Sequence, residues 1–117
     1  MDLDDVVRAI LSGDFLTARQ WVADARRAHI DWRWIPKPLG LDEREMTVAA
    51  ALAELLAGRA GMAPPTWAAS IGSIAEPLLL DPGLREMPRT LARAETDGPE
   101  PFRKRNLIVS AEFLDVR

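Results

Sequence analysis

Residues 42–61 read DEREMTVAAALAELLAGRAG, and this stretch decides the fold that we expect for the chain of 117 residues. Asp42, with Glu45 three positions later, is the acidic form of a capping pattern at a helix N-terminus. Apolar residues then recur over much of the helical circumference until Gly58 or Gly61 ends the run. A helix that is apolar on most of its faces lies inside a core. The segment therefore predicts a central helix around which a small domain packs.

Two shorter helical patterns precede this segment. Residues 2–11 carry apolar side chains at helical spacing, with acidic residues in the first turn, where the helix dipole favours them. Gly13 ends that pattern, and Asp14 is the expected N-cap of a second helix that runs to about residue 29. Together the two patterns predict a helical hairpin at the N-terminus.

Behind the central helix, prolines and glycines divide the chain into shorter pieces. We expect a short helix after Pro65, a helix over residues 84–94 and one short strand at residues 107–109. The sequence contains no internal repeat and no low-complexity linker. The predicted fold class is mostly α: a small single-domain helical bundle over residues 1–117, with long loops containing proline and tryptophan and at most one short C-terminal strand.

Composition excludes several kinds of functional site. The chain has no cysteine and a single histidine, His29, which rules out thiolate nucleophiles, cysteine zinc sites and sites built from several histidines. Neither G-x-G-x-x-G nor G-x-x-x-x-G-K-[ST] is present, which disfavours a nucleotide cofactor. We expect no cofactor and no metal site.

His29 is the first candidate for catalysis, because imidazole changes its charge near neutral pH. At the end of the second predicted helix it also has a structural role available, since a histidine there interacts favourably with the helix dipole. No nucleophile motif accompanies it. We favour the structural role, and an enzyme built on His29 with Asp31 or Glu76 is the least favoured hypothesis. The protein is predicted not to be an enzyme.

The balance of charge disfavours a nucleic-acid partner. Fifteen Lys and Arg residues against eighteen Asp and Glu give a net charge of −3, whereas affinity for nucleic acid depends on neutralising phosphates. The acidic N-terminus lacks the basic start of a signal peptide, and no stretch has the length of a membrane span. We expect a cytoplasmic protein without a membrane partner. The alternative function is a DNA-binding regulator that uses Arg19, Arg26 and Arg27 on the N-terminal hairpin.

Residues 30–41, IDWRWIPKPLGL, which we call the tryptophan loop, are the strongest anomaly in composition. Two prolines at alternate positions exclude a regular helix and favour extended backbone, in which Trp32 and Trp34 point to one side. Tryptophan and arginine are enriched at interface hot spots, so Trp32, Arg33 and Trp34 are candidate partner contacts. In the alternative interpretation both tryptophans fill the core beneath the loop, and the sequence leaves the two interpretations open.

A second candidate surface is the basic turn, residues 103–105, which contains Arg103, Lys104 and Arg105. Basic clusters of this size steer association with acidic surfaces, and the acidic net charge of the chain favours a protein partner over DNA. The turn also has a structural interpretation, in which Phe102 anchors it to the core and Arg105 pairs with Glu76. The sequence leaves open whether the chain also forms a homodimer.

The C-terminal half, residues 55–114, resembles a group of small bacterial proteins with the approximate pattern P-x-W…E-P…P-x-x-F-R-x-R-N followed by apolar residues. The matching motifs in this chain are Pro64-Pro65-Thr66-Trp67, Glu76-Pro77 and Pro101-Phe102-Arg103-Lys104-Arg105-Asn106. Proteins of that group are often encoded beside a nucleotidyltransferase-like gene, an arrangement typical of toxin–antitoxin pairs. The resemblance implies an antitoxin-like, protein-binding role with a nucleotidyltransferase-like toxin as partner, and it assigns no catalytic residue.

Overall fold

The computed structural model describes residues 2–114, and over that range the protein is mostly α, which confirms the predicted fold class. Helices and loops dominate, and the only strands within that range form one short ladder. In chain order the elements are α1 (Leu3–Leu11), α2 (Phe15–Arg27), a 3-10 helix (Trp32–Trp34), α3 (Glu43–Arg59), α4 (Thr66–Ala69), β1 (Leu78–Leu79), a second 3-10 helix (Pro82–Glu86), α5 (Pro88–Asp97), α6 (Glu100–Arg103) and β2 (Leu107–Ile108).

α3 is the central helix, and it begins with the capping pattern expected from the sequence. The Asp42 carboxylate accepts a hydrogen bond from the Glu45 backbone N–H (2.8 Å), and the Glu45 carboxylate accepts one from the Asp42 N–H (3.0 Å). From residue 47 to residue 57 every residue of α3 except Glu54 is buried. α1, α4 and α6 all pack on this helix, so most of the apolar surface removed from water lies around it.

The first three helices, α1, α2 and α3, end in the same way. The same pair of backbone hydrogen bonds closes each end, around one residue with a left-handed φ. This arrangement is the Schellman motif, in which glycine is favoured because it has no Cβ to clash in that conformation. Gly13 (φ 83°) holds the position after α1, Gly61 (φ 70°) holds it after α3, and His29 (φ 51°) holds it after α2.

The expected C-terminal strand is present as β2, and the structure supplies its partner. β2 pairs in parallel with β1, with Leu78 opposite Leu107 and Leu79 opposite Ile108. The sequence marks the segment that contains β1 only as a short apolar run between two prolines. A strand is defined by its hydrogen-bonding neighbour, and that neighbour lies far along the chain.

Arg105 connects four parts of the chain in the interior of the protein. Its exposed fraction is 1%. The guanidinium donates hydrogen bonds to the backbone carbonyls of Ile71 (3.1 Å), Pro101 (2.9 Å) and Ala68 (3.0 Å), and it forms an ion pair with Glu54 of α3. A buried charge is tolerated only when it is paired and its donors are satisfied, and Arg105 meets both conditions.

The pairing of Arg105 with Glu76, which the sequence left open, is not the one that the structure contains. Glu76 is exposed, and the carboxylate that reaches Arg105 comes instead from the central helix. The expected role of Phe102 is confirmed, because its side chain is fully buried and its ring contacts the Phe113 ring edge-on at a centroid distance of 5.3 Å.

We expect Arg105→Met to lower the free energy of unfolding by about 3–5 kcal/mol, because it removes the buried partner of the Glu54 carboxylate and the donor to three backbone carbonyls. Lys104→Met is the matched control. The Lys104 ammonium also approaches Glu54 (Nζ to Oε1, 3.1 Å) but is exposed, so its loss is expected to stay below about 1 kcal/mol. Urea unfolding followed by circular dichroism measures the free energy of unfolding of both variants. Equal losses would contradict the internal role of Arg105.

Gly98, between α5 and α6, is a second tightly constrained position. A Cβ at this residue would lie 2.7 Å from the Ala94 carbonyl oxygen and 2.8 Å from the Val109 carbonyl oxygen. We therefore expect Gly98→Ala to lower the free energy of unfolding by about 1–3 kcal/mol. In the control, Gly58→Ala, the new Cβ meets open space in the last turn of α3, and the higher helix propensity of alanine raises stability by up to about 1 kcal/mol. Urea unfolding measures both changes in the free energy of unfolding. If the two changes have the same sign, the prediction is refuted.

Candidate functional site

The tryptophan loop runs between α2 and α3 and is held to the rest of the protein at two points. Trp32 is buried, with an exposed fraction of 5%, and its ring lies 5.9 Å from the Trp21 ring of α2. Farther along, the Ile35 carbonyl accepts a hydrogen bond from the indole N–H of Trp67 in α4 (2.8 Å). The backbone on either side of Arg33 and Trp34 is therefore fixed by the fold.

Two large apolar side chains of this loop are exposed. Trp34 has an exposed fraction of 76% and Leu39 one of 87%. Pro36 and Pro38 lie between them and restrict the backbone. A single exposed apolar side chain is ordinary on a protein surface, but a tryptophan on a stiff loop has the size and the low ordering entropy of an interface anchor. This part of the loop is the best candidate for a contact surface.

Arg33 forms a compact pair with Asp31 beside the exposed tryptophan. Its guanidinium donates two hydrogen bonds to the Asp31 carboxylate (Nε to Oδ1, 3.0 Å; Nη2 to Oδ2, 2.7 Å), and its Cζ lies 6.0 Å from the centroid of the Trp34 ring. The side-chain hydrogen bonds hold the pKa of Asp31 below its ordinary value and the pKa of Arg33 above it. Both groups are charged at neutral pH, and the guanidinium is held near the indole.

The structure assigns the two tryptophans of the loop to different environments. The expectation that Trp32 and Trp34 point to one side is wrong, because residues 32–34 form a 3-10 helix rather than extended chain. With about three residues per turn, residues two apart lie on different faces. Trp32 therefore belongs to the core. Trp34 is exposed, as a residue that contacts a partner must be.

The basic turn does not form a single exposed patch. Arg105 is buried and bonded inside the fold, so it is corrected from a candidate partner contact to an internal one. Arg103 and Lys104 are exposed, but Arg103 donates to the Gly98 carbonyl (Nε to O, 2.7 Å) and Lys104 approaches Glu54. Each member of the turn has a partner within the chain, which reduces what the turn offers to another protein.

Leu39 is a candidate contact that the sequence analysis did not select. It lies between Pro38 and Gly40, where neither a helix nor a strand is available to bury an apolar side chain. Gly40 has a left-handed φ of 82°, so the chain turns directly after Leu39. A leucine between a proline and a glycine is the signal that could have identified it.

The structure gives each residue considered for catalysis its own surroundings. Asp31 is engaged by Arg33, and Glu76 is exposed. His29 is exposed at the end of α2 and occupies the residue position that closes the helix, which is the structural location expected from the sequence.

Three carboxylates near the N-terminus are the one group within residues 2–114 whose oxygens lie close enough together to hold a metal ion. Those of Asp2, Asp4 and Asp5 are all within 4.8 Å of one another. Two of them have local partners, since Asp5 accepts from the Asp2 N–H (2.9 Å) and Asp4 pairs with Arg8 (3.6 Å). Acidic residues are favoured at this end of a helix, and capping α1 accounts for the cluster.

Comparison of the chain with protein-family models, with curated proteins and with solved structures gave no match. Within residues 2–114, none of the helices combines the length and the apolar character needed to cross a membrane.

We expect Asp31 to titrate below the ordinary aspartate value in the folded protein and Arg33→Gln to raise its pKa towards that value, 3.8. Because folding lowers this pKa, the stability from the pair is present above the ordinary value and is lost as the pH falls through the folded pKa. Titration of the carboxyl groups by NMR measures the change. Asp14, whose pKa is lowered by hydrogen bonds from Thr17 on α2, is the internal control and should not move. An Asp31 pKa unchanged by Arg33→Gln would contradict the assignment.

Proposed function

We propose that the protein is a non-catalytic protein-binding module that contacts its partner through the exposed part of the tryptophan loop. The observation that supports this most strongly is the exposure of Trp34 on a loop that is held by Trp32 in the core and by the bond between Trp67 and Ile35. A tryptophan removes a large apolar area from water on binding. Because the loop is already ordered, little conformational entropy is lost when it docks.

The chemistry of the loop indicates what the partner surface looks like. Trp34 and Leu39 require apolar pockets, while the pair formed by Arg33 and Asp31 contributes no net charge beside them. Lys37 adds one exposed positive charge between the two apolar residues. The complementary surface is an apolar groove with an acidic group near its middle.

The resemblance of the C-terminal half extends the proposal to a specific class of partner. In this extension the protein is the antitoxin-like member of a bacterial two-gene system in the cytoplasm and covers a surface of a nucleotidyltransferase-like toxin. Arg103 and Lys104, which lie in the resembling segment and are exposed, are secondary contacts in this proposal.

A DNA-binding regulator is the alternative proposal. The hairpin of α1 and α2 favours it, because the two helices pack on each other and Arg19 is exposed on the second. The pairing of Arg27 with Asp24 on the same helix and the net charge of −3 count against it, since phosphate contacts need an uncompensated basic surface.

The extended proposal is tested by titrating the purified protein with the product of the gene encoded beside it, which this proposal predicts to be nucleotidyltransferase-like. We expect Trp34→Ala to weaken the complex by about 30-fold or more, the loss of about 2 kcal/mol that defines a hot spot. Leu16→Ala is the matched control, because Leu16 is an exposed apolar residue on α2, with an exposed fraction of 81%. We expect it to leave affinity unchanged.

Two results would reject the proposal: no complex with the wild-type protein, or equal weakening by the Trp34 and Leu16 variants. Salt-dependent binding of the protein to its own promoter DNA would instead support the regulator.

A further inference from the structure

Arginines recur at every fourth position along residues 85–93, and we call Arg85, Arg89 and Arg93 the arginine row. Arg89 and Arg93 lie one turn apart on α5, so their side chains leave the same face of that helix. Arg85 lies on the second 3-10 helix, which packs against α5. All three arginines are exposed, and within residues 88–97 only Ala94 is buried. Most of the surface of α5 is therefore accessible to another molecule.

The charge of the arginine row is not compensated inside the protein. Within residues 2–114, none of the three guanidinium groups takes part in an ion pair. This distinguishes the row from Arg26 and Arg59, which have contacts within the chain. Asp97 lies four positions after Arg93, the spacing of an intrahelical pair, yet no ion pair joins these two residues of the described range. The positive charge of the row is available to a partner.

The charges of α5 do not stabilise this helix. Arg89 lies in its first turn, whereas Glu95 and Asp97 lie in its last turn, and the helix dipole favours the opposite arrangement. Arg89 and Arg93 also repel each other, because like charges four positions apart are destabilising. Arginines in the last turns of α1, α2 and α3 have the favourable arrangement. Helix stability accounts for those arginines and not for the row, and departures from local rules are expected at functional surfaces.

The surroundings of the row favour a protein partner. Met87 lies between Arg85 and Arg89 and has an exposed fraction of 52%. Methionine and arginine are both enriched at protein interfaces, and the planar fork of arginine matches a carboxylate with two hydrogen bonds. A nucleic acid fits less well, because its phosphates would also approach the exposed carboxylates of Glu86 and Glu95 on a chain of net charge −3.

We propose that the arginine row is a docking surface for an acidic helix of a partner protein, which carries carboxylates one helical turn apart beside an apolar side chain. Residues one turn apart on a helix have Cβ atoms about 5–6 Å apart, so such carboxylates match the spacing of Arg89 and Arg93. The apolar side chain covers Met87. The surface shares no residue with the tryptophan loop and stands independently of the function proposed above.

The test uses a synthetic alanine-based peptide of about 18 residues, long enough to be helical alone, with glutamate at every fourth position and one leucine beside the central pair. A second peptide has glutamine in place of each glutamate. In titrations of the full chain at about 20 mM salt, followed by fluorescence anisotropy, we expect a Kd below about 1 mM for the glutamate peptide and at least tenfold weaker binding of the glutamine peptide. Raising the salt to about 200 mM should weaken the first complex several-fold, because exposed charges are screened.

Arg89→Gln and Arg93→Gln should each weaken binding of the glutamate peptide about threefold to fivefold, and the double variant at least tenfold, because each removes a charge-assisted pair. Arg44→Gln is the matched control and should bind like the wild type. Arg44 is exposed and occupies the second position of α3, as Arg89 does in α5, but it lies outside the row.

Urea unfolding of the same variants separates binding from folding. Loss of Arg89 removes a charge that the helix dipole and Arg93 disfavour, so the midpoint should stay the same or rise. The proposal is overturned if the two peptides bind equally, if neither binds, or if Arg44→Gln weakens binding as much as the variants of the row. It is also overturned if a DNA duplex of about 18 base pairs binds more tightly than the glutamate peptide at the same salt, since the surface would then fit phosphates better.

Discussion

The buried ion pair between Arg105 and Glu54 is the interaction on which the arrangement of the C-terminal half depends. Glu54 is the one residue between positions 47 and 57 of the central helix that is not fully buried, and it provides the negative charge that Arg105 needs inside the protein. The remaining donors of Arg105 bind the backbone around α4 and α6. An arginine buried in this way excludes other placements of those segments, because each would leave a charge or a carbonyl without a partner.

The same interaction positions the proposed contact surface. Arg105 holds the Ala68 carbonyl in α4, and the preceding residue, Trp67, donates its indole N–H to Ile35 in the tryptophan loop. The exposed Trp34 is adjacent to that bond. The geometry of the loop therefore depends on a folded C-terminal half, although the loop lies in the N-terminal half of the sequence. Asn106, next to Arg105, extends the network, since its amide donates to the Ile74 carbonyl (2.8 Å) just before β1.

The sequence predicted well what depends on contacts within one helical turn. The caps at Asp14 and Asp42 involve residues three positions away, and the structure contains both. The central helix followed from its apolar periodicity. The sequence could not identify the partner of Arg105. Glu54 is separated from Arg105 by most of the C-terminal half, and many other acidic residues were equally available. The sequence also did not distinguish the environments of the two tryptophans. The two prolines after them favoured extended chain, whereas Asp31 caps a 3-10 helix by accepting a hydrogen bond from the Arg33 N–H.

The amino-acid sequence by itself determined that this protein is mostly helical, where its first three helices begin and roughly where they end, and that thiolate and multi-histidine chemistry are absent. Local hydrogen bonds, apolar periodicity and composition are sufficient for those conclusions. Only the tertiary structure decided that Arg105 is internal and that Trp32 is buried while Trp34 is exposed. Those outcomes depend on which distant groups exclude water together, and burial of a side chain is a property of the packed chain rather than of its neighbours in sequence.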